Sequence, residues 1–164
     1  MKTLVAYMSV SGNTKAVAEA IFEEIRGEKE IQSVDNVTGL EEYDLVFVGF
    51  PVQQFGTPDL MKEFLRTKVN GKRIALFITH AMPPGMDQLK GILSRCQAAA
   101  AGTILVGTFD CQGELAKDVA DHLLASPNKN LQEFGRMRDV TTGHPDMGEI
   151  EAARSFAKRT MECV

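Results

Sequence analysis

Four short apolar runs, Thr3 to Met8, Leu45 to Gly49, Arg73 to Thr79 and Thr103 to Phe109, recur along the chain with helical patterns between them. They are rich in Val, Ile, Leu and Phe, as strands buried on both faces must be. Glu30 to Val34 is a weaker fifth candidate. Strands alternating with helices argue for a parallel sheet, and five strands of this length fit a doubly wound α/β domain with helices on both faces. Right-handed crossovers then bring the loops that follow the strands to one edge, where ligands bind.

The intervening segments supply the helices. Thr14 to Arg26 carries Val17, Ala18, Ile21, Phe22 and Ile25 on one face, and Pro58 to Arg66 carries Leu60, Met61, Phe64 and Leu65. Pro58 suits a first helical position, with Thr57 as N-cap. Residues 86 to 100 read as a third helix ending near Gly102. Glu114 to Ala125 places Leu115, Val119, Leu123 and Leu124 at helical spacing, after which Pro127 and two asparagines break the pattern. Little is periodic from Ser126 to Pro145. A last helix is expected from Asp146, because Asp146 and Glu149 have capping-box spacing ahead of Ile150, Ala153, Phe156, Ala157 and Met161.

At 164 residues and 44% hydrophobic the chain fits one domain, with residues 112–145 as an extended segment before the final helix. A net charge of −4 and no dense lysine or arginine run do not suggest a nucleic-acid partner. The apolar runs are too short for a membrane span, and no signal-peptide cleavage pattern follows the N-terminal run. Cys96, Cys111 and Cys163 are odd in number and lie outside metal-type spacings, which points to reduced thiols in a cytoplasmic setting.

The stretch YMSVSGNTKAVAEAI, residues 7 to 21, is a turn between the first strand and the first helix. Its backbone N–H groups and the positive helix end face the ligand edge, which makes a phosphate site. The hydroxyls of Ser9, Ser11 and Thr14 and the amide of Asn13 add donors, while Gly12 lets the backbone approach closely. Other phosphate chemistries do not fit. There is no G-K-[ST] and no G-x-G-x-x-G after the first strand. No cysteine stands five residues before an arginine in a loop, as a small phosphatase of similar fold would need, and no aspartate ends the third strand, as a phosphoacceptor would need.

Tyr7, Ser9, Gly12, Thr14, Ala18 and Ile21 fall at the spacing of the flavodoxin signature, from which only Ala6 departs, and the chain resembles that family over roughly residues 1 to 110. The resemblance implies a five-stranded sheet of order 2-1-3-4-5 and FMN as cofactor, with the phosphate held by Ser9, Val10, Ser11, Gly12, Asn13 and Thr14. GFPVQQFGTPDLMKEFL, after the third strand, looks like the second flavin loop, particularly that of the quinone-reductase-like branch. It offers Pro51, Val52, Gln53, Gln54, Phe55 and Gly56. Phe55 is expected against the ring, and the Gly56 peptide is expected to turn its carbonyl or N–H toward flavin N5. THAMPPG holds the place of the third flavin loop, with Thr79, His80, Ala81 and Met82. No aromatic stands there, so Met82 or the prolines cover that ring face or leave it open. His80 is a candidate donor to the pyrimidine oxygens or a proton source.

Cys111 leaves the fifth strand at the same edge, within reach of the cofactor or as a small buried hydrophobe. The segment after it, with Arg136 and Arg138 as contacts for a partner or an anionic substrate, is expected beside the flavin edge or as a solvated periphery. The leading functional expectation is an electron-transfer protein working between a reductase and an acceptor enzyme. The alternative is a self-contained FMN oxidoreductase acting on a quinone or other small acceptor, and a third reading is a binding module that lost its cofactor. The letters leave the oligomeric state open.

Overall fold

The computed structural model describes every residue from Met1 to Val164. Strands β1 (Lys2–Tyr7), β2 (Glu28–Ser33), β3 (Leu45–Pro51), β4 (Arg73–His80) and β5 (Ile104–Gln112) form one parallel sheet in the expected order β2-β1-β3-β4-β5. The chain winds outward from β1 to β2, then returns across β1 to β3. The loops after β1 and β3 therefore part in opposite directions and open a crevice at the carboxyl ends of the strands.

Helices α1 (Asn13–Glu24) and α7 (Met147–Glu162) cover one face, and α2 (Asp59–Thr67) and α3 (Asp87–Ala98) cover the other. Alternate residues of each inner strand divide between two cores: Leu4 and Ala6 of β1 meet the α2–α3 side, and Val5 meets the α1–α7 side. That division explains the unbroken apolar runs. β5 is the exception, because it is an edge strand: Ile104 and Leu105 at its start are 55% and 39% exposed, not buried on both faces as expected.

The helix ends correct some expectations. α2 starts at Asp59 with Pro58 in the cap position, and the buried Thr57 hydroxyl caps nothing. The expected capping box opens α7: Asp146 accepts from the Gly148 and Glu149 N–H groups, and the Asp146 N–H donates to Glu149. After β5 comes α4 (Lys117–Leu124), and the aperiodic stretch beyond it contains α5 (Lys129–Arg136) and the short α6 (Arg138–Thr141). Asn128, one of the two asparagines that end the earlier pattern, caps α5 by accepting from the Asn130 N–H at 2.9 Å.

Candidate functional site

The β1–α1 turn is a local construction. Gly12 at the N-cap of α1 has φ 98°, a left-handed conformation that a side chain resists, and it has no side chain with which to cap the helix. The first turn of α1 thus keeps donors for a ligand. Ser9 shapes the turn by accepting from the Lys15 N–H at 3.2 Å. Thr14 and Asn13 are committed differently from expectation: the buried Thr14 hydroxyl pairs with that of Thr79 on β4 at 2.8 Å, and the Asn13 side chain donates to the Glu114 carbonyl at 2.9 Å. Both fix the position of the turn. Val10, Ser11, Asn13 and Thr14 face a cleft of about 380 Å³, whose other walls include Pro51, Gln53, Thr79 and Glu114.

After β3, Gln53 and Gly56 exchange both backbone hydrogen bonds at 3.0 Å around a two-residue turn. Gln54 and Phe55 have φ 46° and 60°, the signs of a type I′ hairpin normally given to glycine or asparagine. Each costs about 1–2 kcal/mol of backbone strain. The left-handed residues are thus Gln54 and Phe55, and the Gly56 N–H and carbonyl pair with Gln53. The Phe55 carbonyl accepts from Arg95 of α3 at 3.1 Å. A separate, larger cleft of about 550 Å³ lies along this side of the turn with Gly56 and Arg95. It lacks the α1 N-terminus.

His80 at the end of β4 is buried with both ring nitrogens engaged: Nδ1 lies 2.8 Å from the Met82 carbonyl and Nε2 3.1 Å from the Asp110 carboxylate on β5. It is therefore not the free donor to a pyrimidine oxygen that its place in the loop suggested. Met82 is almost fully buried and lines the apolar part of the crevice with Ala81.

The wall opposite these loops comes from the segment after β5, which the sequence left between the edge of the ligand loops and a solvated periphery. Leu115, just ahead of α4, and Val119, Leu123, Leu131 and Phe134 of the α4–α5 hairpin enclose an apolar space of about 370 Å³ against Val52, Phe55, Ala81 and Met82. Phe134 leans on Phe55 with ring centroids 5.2 Å apart. Gly135 permits this crossing, because a Cβ there would lie 3.0 Å from the Ala120 carbonyl and 2.8 Å from Leu124. At the base of the hairpin, Arg138 donates to the Glu114 carboxylate at 2.8 Å and to the Leu115 carbonyl, and Gly143 N–H donates to the same carboxylate at 3.1 Å. These bonds, first from Gly143 and then from Arg138, hold the Glu114 carboxyl below the usual glutamate range. Arg138 is an anchor of this chain rather than the free contact expected, whereas Arg136 stays exposed.

Cys111 points into the core between the sheet and α1–α7, and burial, with Glu149 and Asp110 adding negative charge, pushes its thiol up to about 12. It is not a reactive neighbour of the cleft.

The flavodoxin domain family model matches residues 4–158, nearly the whole chain. The chain belongs to the flavodoxin family. This flavodoxin is 32% identical over 171 residues to the flavodoxin-like domain-containing protein BilS of Clostridioides difficile (strain CD3), covering 98% of this chain and 97% of that protein. Its fold is similar to that of a Streptococcus pneumoniae TIGR4 flavodoxin, with a TM-score of 0.64 at 15% identity over the whole of both chains. It is also similar to Flavodoxin 2 of Bacillus cereus, with a TM-score of 0.62 at 20% identity over 99% of each chain.

The residues of this flavodoxin fit FMN, the family's cofactor, at both ends. The polar cleft offers a helix N-terminus whose N-cap is glycine, and open space beyond Gly12, where an added Cβ would meet nothing within 4 Å. The apolar space shares Val52, Gln54, His80, Ala81, Leu115 and Val119 with the polar cleft, so one crevice runs from phosphate donors to an apolar slot. No lysine or arginine lines it, which leaves backbone N–H groups, hydroxyls and the helix end to receive a dianion.

Proposed function

We propose that this flavodoxin transfers electrons on an FMN laid along the crevice, with its phosphate at the β1–α1 turn and its ring in the apolar space under the α4–α5 hairpin, taking them from a reductase and passing them to an acceptor enzyme. The observation that carries the reading is the continuity of the polar cleft with the apolar one. Bound FMN supplies the redox chemistry. The chain's residues orient it and exclude water: Ser11 and the N–H groups of the turn hold the phosphate, Gln54 and Phe55 of the strained turn flank the ring on one side, and Ala81 and Met82 on the other. Val10, Phe55 and Val119, exposed by 74%, 44% and 45%, form an apolar rim suited to a transient protein partner.

Direct reduction of a quinone in the same crevice is the second reading, and the mostly apolar wall from Met82 to Leu131 favours it. An anaerobic reductive titration of the FMN-loaded chain separates the two. Passage through a stable long-wavelength absorbance band supports one-electron carrying, and bleaching without such a band supports the quinone enzyme.

Titration of the apo chain with FMN and with riboflavin tests the placement. Losing two or more charge-assisted hydrogen bonds, at about 1.5–3 kcal/mol each, should weaken riboflavin by about 100-fold or more. Equal affinities would remove the phosphate from the turn and sink the reading.

A further inference from the structure

The larger cleft behind the turn after β3, about 550 Å³, has no part in the FMN reading. Gln53, Gln54 and Phe55 wall it on one side and the flavin crevice on the other, so one turn separates two spaces. Their chemistry differs. No lysine or arginine lines the crevice, whereas Lys62 of α2 and Arg95 of α3 both line the cleft. Lys62 is paired with Asp59 on the same helix at 2.8 Å. Arg95 donates from Nη2 to the Phe55 carbonyl at 3.1 Å and pairs with no carboxylate. A guanidinium carries five N–H donors, so most of them, and the whole charge, are left over.

With Asp59 set against Lys62, the cleft holds one uncompensated positive charge. Met8, Phe55, Leu60 and Ala99 give it apolar wall, and Thr57, 6% exposed, adds a hydroxyl that has no hydrogen-bond partner. The volume falls within the range of about 300–1,000 Å³ usual for small-molecule sites.

We infer that this cleft binds a small organic anion, a carboxylate on an apolar body, through the Arg95 guanidinium. A planar carboxylate matches the fork of N–H groups that Phe55 leaves over, and two parallel N–H···O bonds fix its direction. One unpaired cation suits such a monoanion better than a phosphate dianion. The apolar body then lies against Met8, Leu60 and Phe55, where leaving water is favourable. The site stands beside the FMN reading and does not rest on it. Anion and flavin occupy opposite sides of one turn, so each binds while the other is present.

Titration of the full apo chain with 2-naphthoate, followed by backbone amide NMR, tests the inference, with 2-naphthylmethanol as a neutral probe of similar shape. Amides from Gln53 to Leu60 and from Arg95 to Ala99 should shift, and those from Ser9 to Thr14 should not. The alcohol should bind about tenfold more weakly than the carboxylate, and Arg95→Gln, a change at an exposed side chain, should abolish that preference. Arg95→Lys, which keeps the charge without the fork, should restore it only in part. Loosening of the turn alone would weaken both probes alike, so an unchanged preference in Arg95→Gln overturns the inference. The absence of saturable naphthoate binding overturns it too, as do equal affinities for the two probes in the parent chain. Naphthoate should still bind the FMN-loaded chain, with an affinity within about threefold of that for the apo chain, and its displacement by FMN would place the probe in the crevice and overturn the second site. Failure of the parent chain to bind FMN overturns the FMN reading alone, because the apo titration does not use it.

Discussion

In the proposed placement the phosphate end of the crevice is a single turn, Met8 to Gly12, between one strand and the next helix, whereas the ring end is assembled from the loops after β3 and β4 and a helical hairpin beyond β5. The first depends on local backbone conformation, Gly12 at φ 98° at the start of the helix. The second depends on distant side chains meeting: Phe55 on Phe134, Arg95 on the Phe55 carbonyl, and Arg138 on Glu114. The comparison teaches that phosphate affinity and ring affinity should be separable by substitution, with Glu114 as the join. Its carbonyl accepts from Asn13 in the turn, and its carboxylate accepts from the base of the hairpin.

The largest separation is expected from Gly135→Val. Its Cβ collides with the α4 backbone, an overpacking that costs about 1–3 kcal/mol and pushes the two helices apart. Riboflavin, which has only the ring end to hold it, should lose affinity by roughly tenfold, and the FMN-to-riboflavin ratio should stay near that of the parent chain. A fall in that ratio would show that the two ends are not independent.

A smaller effect should follow from acid. The folded-state Glu114 carboxyl lies below its ordinary value, so its contribution to anchoring the hairpin is complete above the usual glutamate range, near about 4.3, and is lost as pH falls through the lower folded value. Riboflavin affinity followed from pH 7 downward should hold through pH 5 and drop only below that range. Glu114→Gln should start weaker and show a flatter profile. A drop centred above pH 5 in the parent chain would contradict the anchor.

The smallest effect is expected from Gln54→Gly. Removing the side chain at φ 46° relieves strain but adds freedom to the unfolded chain, for a net gain of at most about 1 kcal/mol. Thermal unfolding of the apo chain should move up by a few degrees or not at all. A clear destabilisation would mean that the Gln54 side chain makes contacts that outweigh its backbone strain.

The difference between the two ends also decides what was legible in the sequence. The turn at the phosphate end was readable because its donors are adjacent letters between two strongly patterned elements. The inner strands were readable because their apolar runs are buried on both faces, whereas the sheet order came with the resemblance to the flavodoxin signature. The hairpin was half legible: Val119 and Leu123 marked one face of α4, which starts at Lys117 rather than at Glu114, but α5 is eight residues long, contains Gly135, and is capped by the asparagine that ends the previous pattern. A helix of that length draws its stability from packing, here against α4, which the local letters do not report. The conformation of the turn at Gly56 was hidden for a similar reason. Glycine was taken as the flexible point, but pairing with Gln53 moved the left-handed conformations onto Gln54 and Phe55. His80 was noticed, yet its engagement with Asp110 needed the β4–β5 register that sets Ile78 beside Asp110 and His80 beside Gln112.

Amide hydrogen exchange of the whole chain with and without saturating FMN tests the two-ended crevice most directly. The account predicts protection in two separate stretches, residues 9–14 and the hairpin from Leu115 to Phe134. Riboflavin at saturation should protect the hairpin more than the turn. Protection confined to the turn, with the hairpin exchanging as fast as in the apo chain, would contradict the placement of the ring beneath α4 and α5.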